Sequence, residues 1–439
     1  MSFPRYERYK DSGVEWLGEV PEHWDITRVK RATTFVTGWT PPSGNELFYG
    51  GDNLWANISD LGPRILSETN TRITDTAVSH HGMQISPAGS LLFSFKLSIG
   101  QVSFAAKAMY TNEAIASFLP DPRLDLTYAY YSWPFFLIEN AGENIYGAKL
   151  LNQELIRNAL IVLPDVIEQQ TIGSFLDEET EKLDALIKEQ RRLIELLKEK
   201  RQTAISQAVT KGLNSNVPMK DSDVNWIGEV PRQWIVTRLG YFATVENGTT
   251  PSKEKLEYWT DGQVPWLASG EVNQLRIVEA NEFITEQALA ESSLRLLPEG
   301  TVVVGLVGQG KTRGMSAILG MTATINQNLA AICPGPKISS EYVFYLFQAM
   351  YVSLREDGRG GNQAAINCKM LASLQIPVPP IQEQNDIAAF LNTLSEQINT
   401  LENESNGAIQ LLQEHRSALI SAAVTGKIDV RNYNPKEAA

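Results

Sequence analysis

The sequence has few cysteines and histidines and no long apolar segment. Its 439 residues include two cysteines, Cys333 and Cys368, and four histidines, too few for a disulfide framework or a repeated metal site. No run of about 18 apolar residues, the length that suits a membrane span, is present. The first residues are polar and do not resemble a signal peptide. We therefore expect a cytoplasmic protein without a membrane segment.

Positive charge is also scarce. The 38 Lys and Arg residues are outnumbered by 51 Asp and Glu residues, which gives a formal net charge of -13. Neutralisation of phosphates by Lys and Arg usually supplies much of the affinity for nucleic acid, so this balance disfavours DNA binding by the chain as a whole. It stays compatible with local basic surfaces, or with partners that carry the positive charge.

Several motifs of catalysis are absent from the sequence. No Glu-x-Lys or Asp-x-Lys of phosphodiester cleavage occurs, and no Asn-Pro-Pro-Tyr or Asp-Pro-Pro-Tyr of amine methylation. Gly-x-Ser-x-Gly and His-Glu-x-x-His are missing as well. The four histidines are scattered, and we interpret them as structural. The sequence thus favours a protein without catalysis of its own.

The chain contains an internal repeat with an offset of about 210 residues. KDSGVEWLGEVPEHWDITRV, which begins at Lys10, matches KDSDVNWIGEVPRQWIVTRL, which begins at Lys220, at 12 of 20 positions. Each copy has the form Trp-x-Gly-Glu-Val-Pro-x-x-Trp, and we interpret its tryptophans as core anchors. A duplicated chain of this kind predicts two similar halves that hold two similar ligands.

The middle of each half, roughly 130 residues of short β-rich runs, has diverged. Some landmarks survive at matching intervals: Thr40-Pro41 with Thr250-Pro251, Trp55 with Trp266, Ile73-Thr74 with Ile284-Thr285, and Gly89 with Gly300. Residual similarity between better-kept ends favours one common fold with two different surfaces.

Each half ends in a predicted long helix. Pro164 and Pro379 each stand four residues before a Glu-Gln pair, a favourable helix start, and Gly212 and Gly426 lie where each helix should stop. Apolar residues then recur at an average spacing of 3.5, which predicts that the helices pair with each other. The predicted pairing positions are Leu176, Leu183, Leu186, Leu193 and Leu197 in the first helix, and Leu391, Leu394, Ile398, Leu401, Leu412 and Leu419 in the second.

These patterns together predict an α+β fold. Two similar mixed α/β domains are separated by two long helices that form an antiparallel coiled coil, with an internal pseudo-twofold repeat. The predicted segments are a first domain (1–160), a central helix (161–213), a second domain (214–375) and a C-terminal helix with its tail (376–439).

One segment satisfies the Walker A pattern. Gly305-Leu-Val-Gly-Gln-Gly-Lys-Thr312 follows an apolar strand, as a phosphate loop should. A phosphate loop opens a helix, however, and the next residues contain two further glycines and no helical period. A nucleotide hydrolase therefore stays an alternative, and the other interpretation is a turn that contacts DNA phosphates.

Two loops in each half are candidate DNA contacts. In the second half, amides and cations suited to phosphates and base edges stand at Gln309, Lys311, Thr312 and Arg313, and at Arg359, Asn362 and Gln363. The corresponding candidates in the first half are Lys96, Ser98, Gln101, Tyr146 and Lys149. The competing interpretation of these segments is that they are solvated turns.

The doubled tryptophan element, the Pro-x-x-x-Glu-Gln helix starts, and the Thr-Pro-Ser and Gly-Gln-Gly-Lys-Thr-Arg-Gly stretches together resemble the specificity subunit of type I restriction-modification systems. The likeness covers essentially the whole chain. It implies two target-recognition domains, at about 25 to 155 and 235 to 370, each of which binds one half of a bipartite double-stranded DNA target. Because the domains have diverged, we expect an asymmetric target.

The resemblance also implies partners and no cofactor in this chain. Two modification subunits would methylate adenine with S-adenosylmethionine, and restriction subunits would use ATP and Mg²⁺. Partners of this kind account for the acidic balance, because they can wrap the duplex. A protein-binding spacer with two domains and no DNA contact stays a further alternative.

Overall fold

The chain forms two compact units. The computed structural model describes residues 3–143, 147, 149–307, 311–356 and 366–433. One unit combines Met1–Gln190 with Gly407–Ala439, and the other is Arg191–Asn406. Each long helix therefore contributes one part to each unit. The four segments defined from the sequence divide the chain differently, and as functional boundaries they stay predictions.

The elements of the first half alternate short strands with helices. Its strands are β1 (Tyr9–Asp11), β2 (Glu19–Pro21), β3 (Asp25–Arg28), β4 (Phe35–Thr37), β5 (Tyr49–Ala56), β6 (Ile65–Leu66), β7 (Thr71–Ile73), β8 (Leu91–Ser94), β9 (Val102–Ala105), β10 (Tyr110–Thr111), β11 (Ile115–Phe118), β12 (Gly142–Glu143), β13 (Lys149–Leu150) and β14 (Leu160–Leu163). Its helices are α1 (Val29–Ala32), α2 (Asp75–His81), α3 (Leu126–Glu139), α4 (Gln153–Asn158) and α5 (Val166–Lys211).

The second half repeats this order with small differences. Its strands are β15 (Met219–Asp221), β16 (Glu229–Pro231), β17 (Ile235–Arg238), β18 (Ala243–Asn247), β19 (Val264–Leu267), β20 (Arg276–Ile277), β21 (Glu282–Ile284), β22 (Val302–Gly305), β23 (Ser316–Leu319), β24 (Thr324–Ile325), β25 (Leu329–Pro334) and β26 (Gln375–Val378). Its helices are α6 (Glu286–Glu291), α7 (Ser340–Glu356), α8 (Cys368–Ser373) and α9 (Ile381–Val424).

Both units contain the same two sheets. The strand order of the large sheet is β4-β11-β8-β9-β6 in the first unit and β18-β25-β22-β23-β20 in the second. The small sheets, β10-β5-β7 and β21-β19-β24, have β5 and β19 at their centres. The predicted α+β fold with two similar units and two long helices is confirmed.

The central strands of the large sheets are apolar because both of their faces are covered. Side chains alternate along a strand, so Leu91 and Phe93 of β8 join the core beneath α3, whereas Leu92 joins a second apolar cluster with Leu54 and Met109. In β22, Val302 and Val304 lie on one side and Val303 on the other. The divergent middle of each half is therefore built on a sheet whose central strand is buried on both faces.

The glutamines of the two Glu-Gln pairs are buried anchors. The Oε1 atom of Gln169 accepts a hydrogen bond from the backbone N–H of Asp125 at 2.8 Å, and its amide donates to the carbonyl of Pro164 at 2.9 Å. Gln384 makes the same pair of bonds with Ser339 and Pro379, at 2.8 and 2.9 Å. These bonds fix the start of each long helix to the segment that leads into α3 or α7.

Helices α3 and α7 each carry a tyrosine whose hydroxyl donates to backbone carbonyls of two other elements. The Tyr342 hydroxyl donates to Val209 at 3.1 Å and to Pro377 at 3.0 Å. Its counterpart Tyr128 donates to Val162 at 2.9 Å and to Val424 at 3.4 Å. Burial raises the pKa of both phenols well above the ordinary value, so they stay protonated and keep donating.

The two long helices begin and end close to the predicted residues. Gly212, directly after α5, and Gly426, two residues after the end of α9, have φ angles of 75° and 73°, the left-handed conformation that glycine adopts readily at a helix C-terminus. Within each unit the helices run antiparallel. Asp184 pairs with Arg416 in the first unit, and Arg201 pairs with Glu402 in the second.

The predicted seam between the helices is wrong at three leucines. Leu186, Leu193 and Leu401 are 52%, 41% and 44% exposed, so they lie beside the seam. Leu176, Leu197, Leu391, Ile398 and Leu419 are buried, and Leu183, Leu394 and Leu412 are half-buried. Polar side chains also join the two helices, at positions that an apolar pattern does not indicate: Asp184 with Arg416, and Arg201 with Glu402.

Candidate nucleic-acid interface

Three loops of the first unit meet at one end of its large sheet. Strands β4 and β8 both pair antiparallel with β11, in the registers Thr37 to Ala116 and Ser94 to Ile115. The loop after β4, the turn before β11 and the β8–β9 hairpin therefore project from the same end. A backbone hydrogen bond of 2.9 Å from Phe95 to Ala114 joins the hairpin to the turn.

The second unit brings the corresponding loops together. Asn247 of β18 pairs with Ala330 of β25, and Gly305 of β22 pairs with Leu329. The N–H of Leu306 donates to the carbonyl of Asn328 at 2.9 Å, which joins the β22–β23 hairpin to the turn before β25. We call these two sets of loops the loop ends of the units.

The first-half candidates Lys96, Ser98 and Gln101 all lie in the β8–β9 hairpin and are exposed. The Ser94 hydroxyl donates to the carbonyl of Ser98 and accepts from the N–H of Gln101 at 3.0 Å. The backbone of the hairpin is thus fixed from inside, while the three side chains face solvent.

The second-half candidates Lys311, Thr312 and Arg313 lie in the β22–β23 hairpin. Lys311 is exposed, whereas Thr312 and Arg313 are half-buried. The last turn of α7 holds this segment, because Tyr351 donates to the carbonyl of Lys311 at 2.9 Å and Arg313 donates to that of Arg355 at 2.7 Å. Lys311 is therefore the accessible cation here, and Arg313 has a backbone partner.

The Walker A interpretation is wrong. Strands β22 and β23 pair antiparallel, with Val304 opposite Ser316, so the segment that contains Lys311 and Thr312 joins two strands of a hairpin. A phosphate loop must lead into a helix whose N-terminal N–H groups bind the phosphates. No helix begins between Lys311 and β23.

Of the remaining candidates, the structure describes only Lys149. Lys149 of β13 is exposed and forms an ion pair of 3.0 Å with Glu143 across the β12–β13 ladder. Gln309, Tyr146, Arg359, Asn362 and Gln363 lie outside the described residues. Within the described residues, no group of three or more His, Cys, Asp or Glu side chains is arranged to hold a metal ion. None of the described helices is long and apolar enough to cross a membrane.

In each unit the Thr-Pro landmark is part of a clamp, by which we mean the set of contacts that holds the Thr-Pro loop in place. The indole N–H of Trp55 donates to the carbonyl of Trp39, and that of Trp266 donates to the carbonyl of Thr249, both at 3.0 Å. The backbone N–H groups of the same two residues, Trp39 and Thr249, donate to the carbonyls of Thr111 in β10 and Ile325 in β24, also at 3.0 Å.

Glycine precedes each clamp because the chains approach closely. A Cβ atom on Gly38 would lie 1.5 Å from the carbonyl oxygen of Thr111, and one on Gly248 would lie 1.7 Å from that of Ile325. No larger residue fits without a shift of the backbone. These glycines therefore allow the Thr-Pro loop to lie against the start of the turn before β11 or β25.

The clamp also holds one exposed polar side chain in each unit. The Thr40 hydroxyl donates to the Glu113 carboxylate, and the Thr250 hydroxyl donates to Oε1 of Gln327 at 2.5 Å. Sequence patterns did not single out Glu113 and Gln327. The available signal was that both follow an asparagine, Asn112 and Asn326, at the repeat offset.

A family model described as the type I restriction modification DNA specificity domain matches residues 21–196 and again 231–411. The chain is 25% identical over 358 residues to the EcoR124I/EcoR124II specificity subunit of Escherichia coli, with 80% of this chain and 83% of that protein covered. It is 23% identical over 426 residues to the MjaIX specificity subunit of Methanocaldococcus jannaschii, with 94% and 95% covered.

Solved structures show the same fold. A chain from a study of complex assembly and conformational transition of the type I R-M system has a TM-score of 0.72 at 16% identity, and the match covers 92% of this chain and 98% of that one. The HsdS subunit of Thermoanaerobacter tengcongensis gives 0.57 at 15% identity, with 93% and 98% covered. Since the family model matches both halves and most of the chain, this protein belongs to the family of type I restriction-modification DNA specificity subunits.

Proposed function

We propose that the loop end of each unit binds one half of a bipartite double-stranded DNA target. The observation that carries the proposal is the repeated placement of the loops. Each unit projects the Thr-Pro loop, the turn before β11 or β25 and the hairpin from one end of its large sheet, and the side chains there differ between the units. Two loop ends with different side chains on the same fold favour an asymmetric target.

Lys96 and Lys311 supply local positive charge at these loop ends. Both are exposed, and each lies in the hairpin next to the turn. With Ser98, Gln101 and Thr312 around them, they suit phosphate contacts that fix the register on the duplex. Such local contacts are compatible with the net charge of -13, because affinity depends on the few cations that meet phosphates.

The proposal includes partners that do the chemistry. Two modification subunits would bind this chain and methylate DNA with S-adenosylmethionine, and restriction subunits would bring ATP and Mg²⁺. This chain would then act without a cofactor and without catalysis, as the reader of sequence. An assembly that acts on cellular DNA in this way would work in the cytoplasm.

A salt titration of DNA binding tests the phosphate contacts. The chain in complex with its modification subunits is mixed with duplexes that do and do not carry the target. Lys311→Ala should weaken binding to both duplexes alike and lower the slope of log affinity against log salt by about 1, since one phosphate contact is lost. Lys337→Ala is the control, because exposed Lys337 follows β25 and lies at the opposite end of the sheet.

The alternatives predict other results in the same experiment. A protein-binding spacer would show no sequence preference at moderate salt, with wild type or variant. A loss of slope with Lys337→Ala equal to that with Lys311→Ala would contradict the placement of the DNA at the loop end.

A further inference from the structure

We infer that Glu113 and Gln327 each read a base edge in the major groove, one in each half-site. This inference deepens the proposed function and rests on it, since it requires that the loop ends face DNA. It assigns the reading of at least one base pair in each half-site to a single exposed side chain.

The first argument is position. Glu113 and Gln327 stand at the tip of the turn before β11 or β25, between the Thr-Pro loop and the hairpin that carries Lys96 or Lys311. Both side chains are exposed. Lys96 or Lys311 beside the turn would hold the phosphate backbone, so the neighbouring tip is placed to face the groove.

The second argument is rigidity. Asn112 and Asn326 each accept a hydrogen bond from the backbone N–H two residues later, at 3.1 and 3.0 Å, and this closes the turn. The hydroxyls of Thr40 and Thr250 then hold the exposed side chains themselves. A long polar side chain that is fixed before binding loses less conformational entropy when it meets its target.

The third argument is chemistry. Both carry an oxygen that accepts from the threonine, but Glu113 has only acceptors left, whereas Gln327 has an amide that donates. Within the described residues, that amide nitrogen has no hydrogen-bond partner. Gln suits adenine, with one acceptor and one donor for the N6 and N7 edge, and Glu suits the N4 donor of cytosine.

The clamp has the same geometry in both units, but the side chain at the tip of the turn differs. Three pairs of equivalent residues form the clamp in the two units: Trp55 and Trp266, Gly38 and Gly248, and Thr40 and Thr250. A purely structural clamp needs only one oxygen to accept from the threonine. It gives no reason for an exposed charge in one unit and an amide in the other. A reader of different bases gives that reason.

Reciprocal substitutions separate reading from structure. Glu113→Gln and Gln327→Glu each keep the oxygen that accepts from threonine, so the clamp and the melting temperature should be retained. Each variant, in complex with its modification subunits, is used to select duplexes from a randomised library, and the bound DNA is sequenced. Glu19→Gln and Gln233→Glu are charge-matched controls at exposed positions of the tryptophan-rich elements.

We expect each variant to change the base preference at one position of one half-site only. Discrimination at that position should fall by roughly tenfold or more, as expected for the loss of one good base contact. The two variants should affect opposite half-sites, while both controls select the wild-type motif.

The outcomes distinguish this inference from the proposed function. If the wild-type complex selects no motif, the proposed function fails. If wild type selects a bipartite motif and either variant selects it unchanged, the shared role of these two side chains is overturned. An even loss of preference at all positions, or a change in the same half-site with both variants, also overturns it.

Discussion

The hairpin at the loop end of the first unit joins β8 to β9 through residues 95–101, whereas that of the second unit joins β22 to β23 through a longer segment, 306–315. The anchors of the long helices hardly differ. Gln169 and Gln384 make the same bonds, and their amide-to-proline distances are both 2.9 Å. A buried polar group that loses its partner costs stability, while a solvated loop can change length freely. Divergence in this chain is therefore concentrated where the DNA would be read.

The tryptophan-rich elements show a smaller difference between the units. Trp24 and Trp234 are both buried, and the indole of Trp234 donates to Glu383 at 3.0 Å. In the first unit the corresponding Glu168 accepts instead from Tyr6 and from His23, each at 2.8 Å. The glutamate is kept with different donors, so both units share a carboxylate at this position that accepts hydrogen bonds.

The largest effects should come from the seam of the long helices. Ile187 and Ile398 are 7% and 2% exposed, so Ile187→Ala or Ile398→Ala should each lower the free energy of unfolding by about 2–4 kcal/mol. Leu186→Ala and Leu401→Ala, at exposed neighbouring positions, should change it by less than about 0.5 kcal/mol in the isolated chain. Urea titration followed by tryptophan fluorescence measures both. Equal losses at Ile187 and Leu186 would show that the seam has the wrong register.

The glutamine anchors should come next and should be equal in the two units. Gln384→Ala leaves a buried backbone N–H and a carbonyl without their partner, which should cost about 2 kcal/mol. Gln169→Ala should cost the same to within about 0.5 kcal/mol if the anchors are equivalent. Gln382→Ala, two residues away and exposed, is the matched control in the same urea titration. A large cost in one unit with none in the other would break the equivalence.

The tyrosine contacts should show the smallest and least equal effects. Tyr342→Phe removes one O–H donor, which two carbonyls share at 3.0 and 3.1 Å, and should cost about 1–2 kcal/mol. Tyr128→Phe should cost about 1 kcal/mol, because one of its two bonds is long at 3.4 Å. Thermal unfolding of the two variants, compared with wild type under one set of conditions, gives the order. The reverse order would contradict these contacts.

Much of the frame could be predicted because its signals are local or repeated. Proline before Glu-Gln and glycine after the last turn located both ends of the long helices, and the doubled tryptophan element located the start of each half. The exact seam was missed because leucines stand both on it and beside it. Arg201 and Glu402 occupy seam positions where an apolar pattern expects Leu or Ile.

The clamp at the loop ends was visible in the sequence only as separate landmarks. Thr40 and Glu113 are 73 residues apart, and Thr250 and Gln327 are 77 apart, so their hydrogen bonds depend on strand order rather than on any local pattern. The Walker A match failed for a related reason. A short pattern of glycines before Lys311 cannot distinguish a hairpin from a helix start, and the antiparallel pairing of β22 with β23 decides it.

The central claim is that two units of the same fold recognise different DNA sequences. The DNA motif itself gives the most direct test. The chain is expressed with its modification subunits in a host that lacks other adenine methylation, and the methylated positions of the genome are sequenced. We predict one motif with two specified parts that differ in sequence, separated by an unspecified spacer. A palindromic motif, a single continuous motif or the absence of any motif would contradict the account.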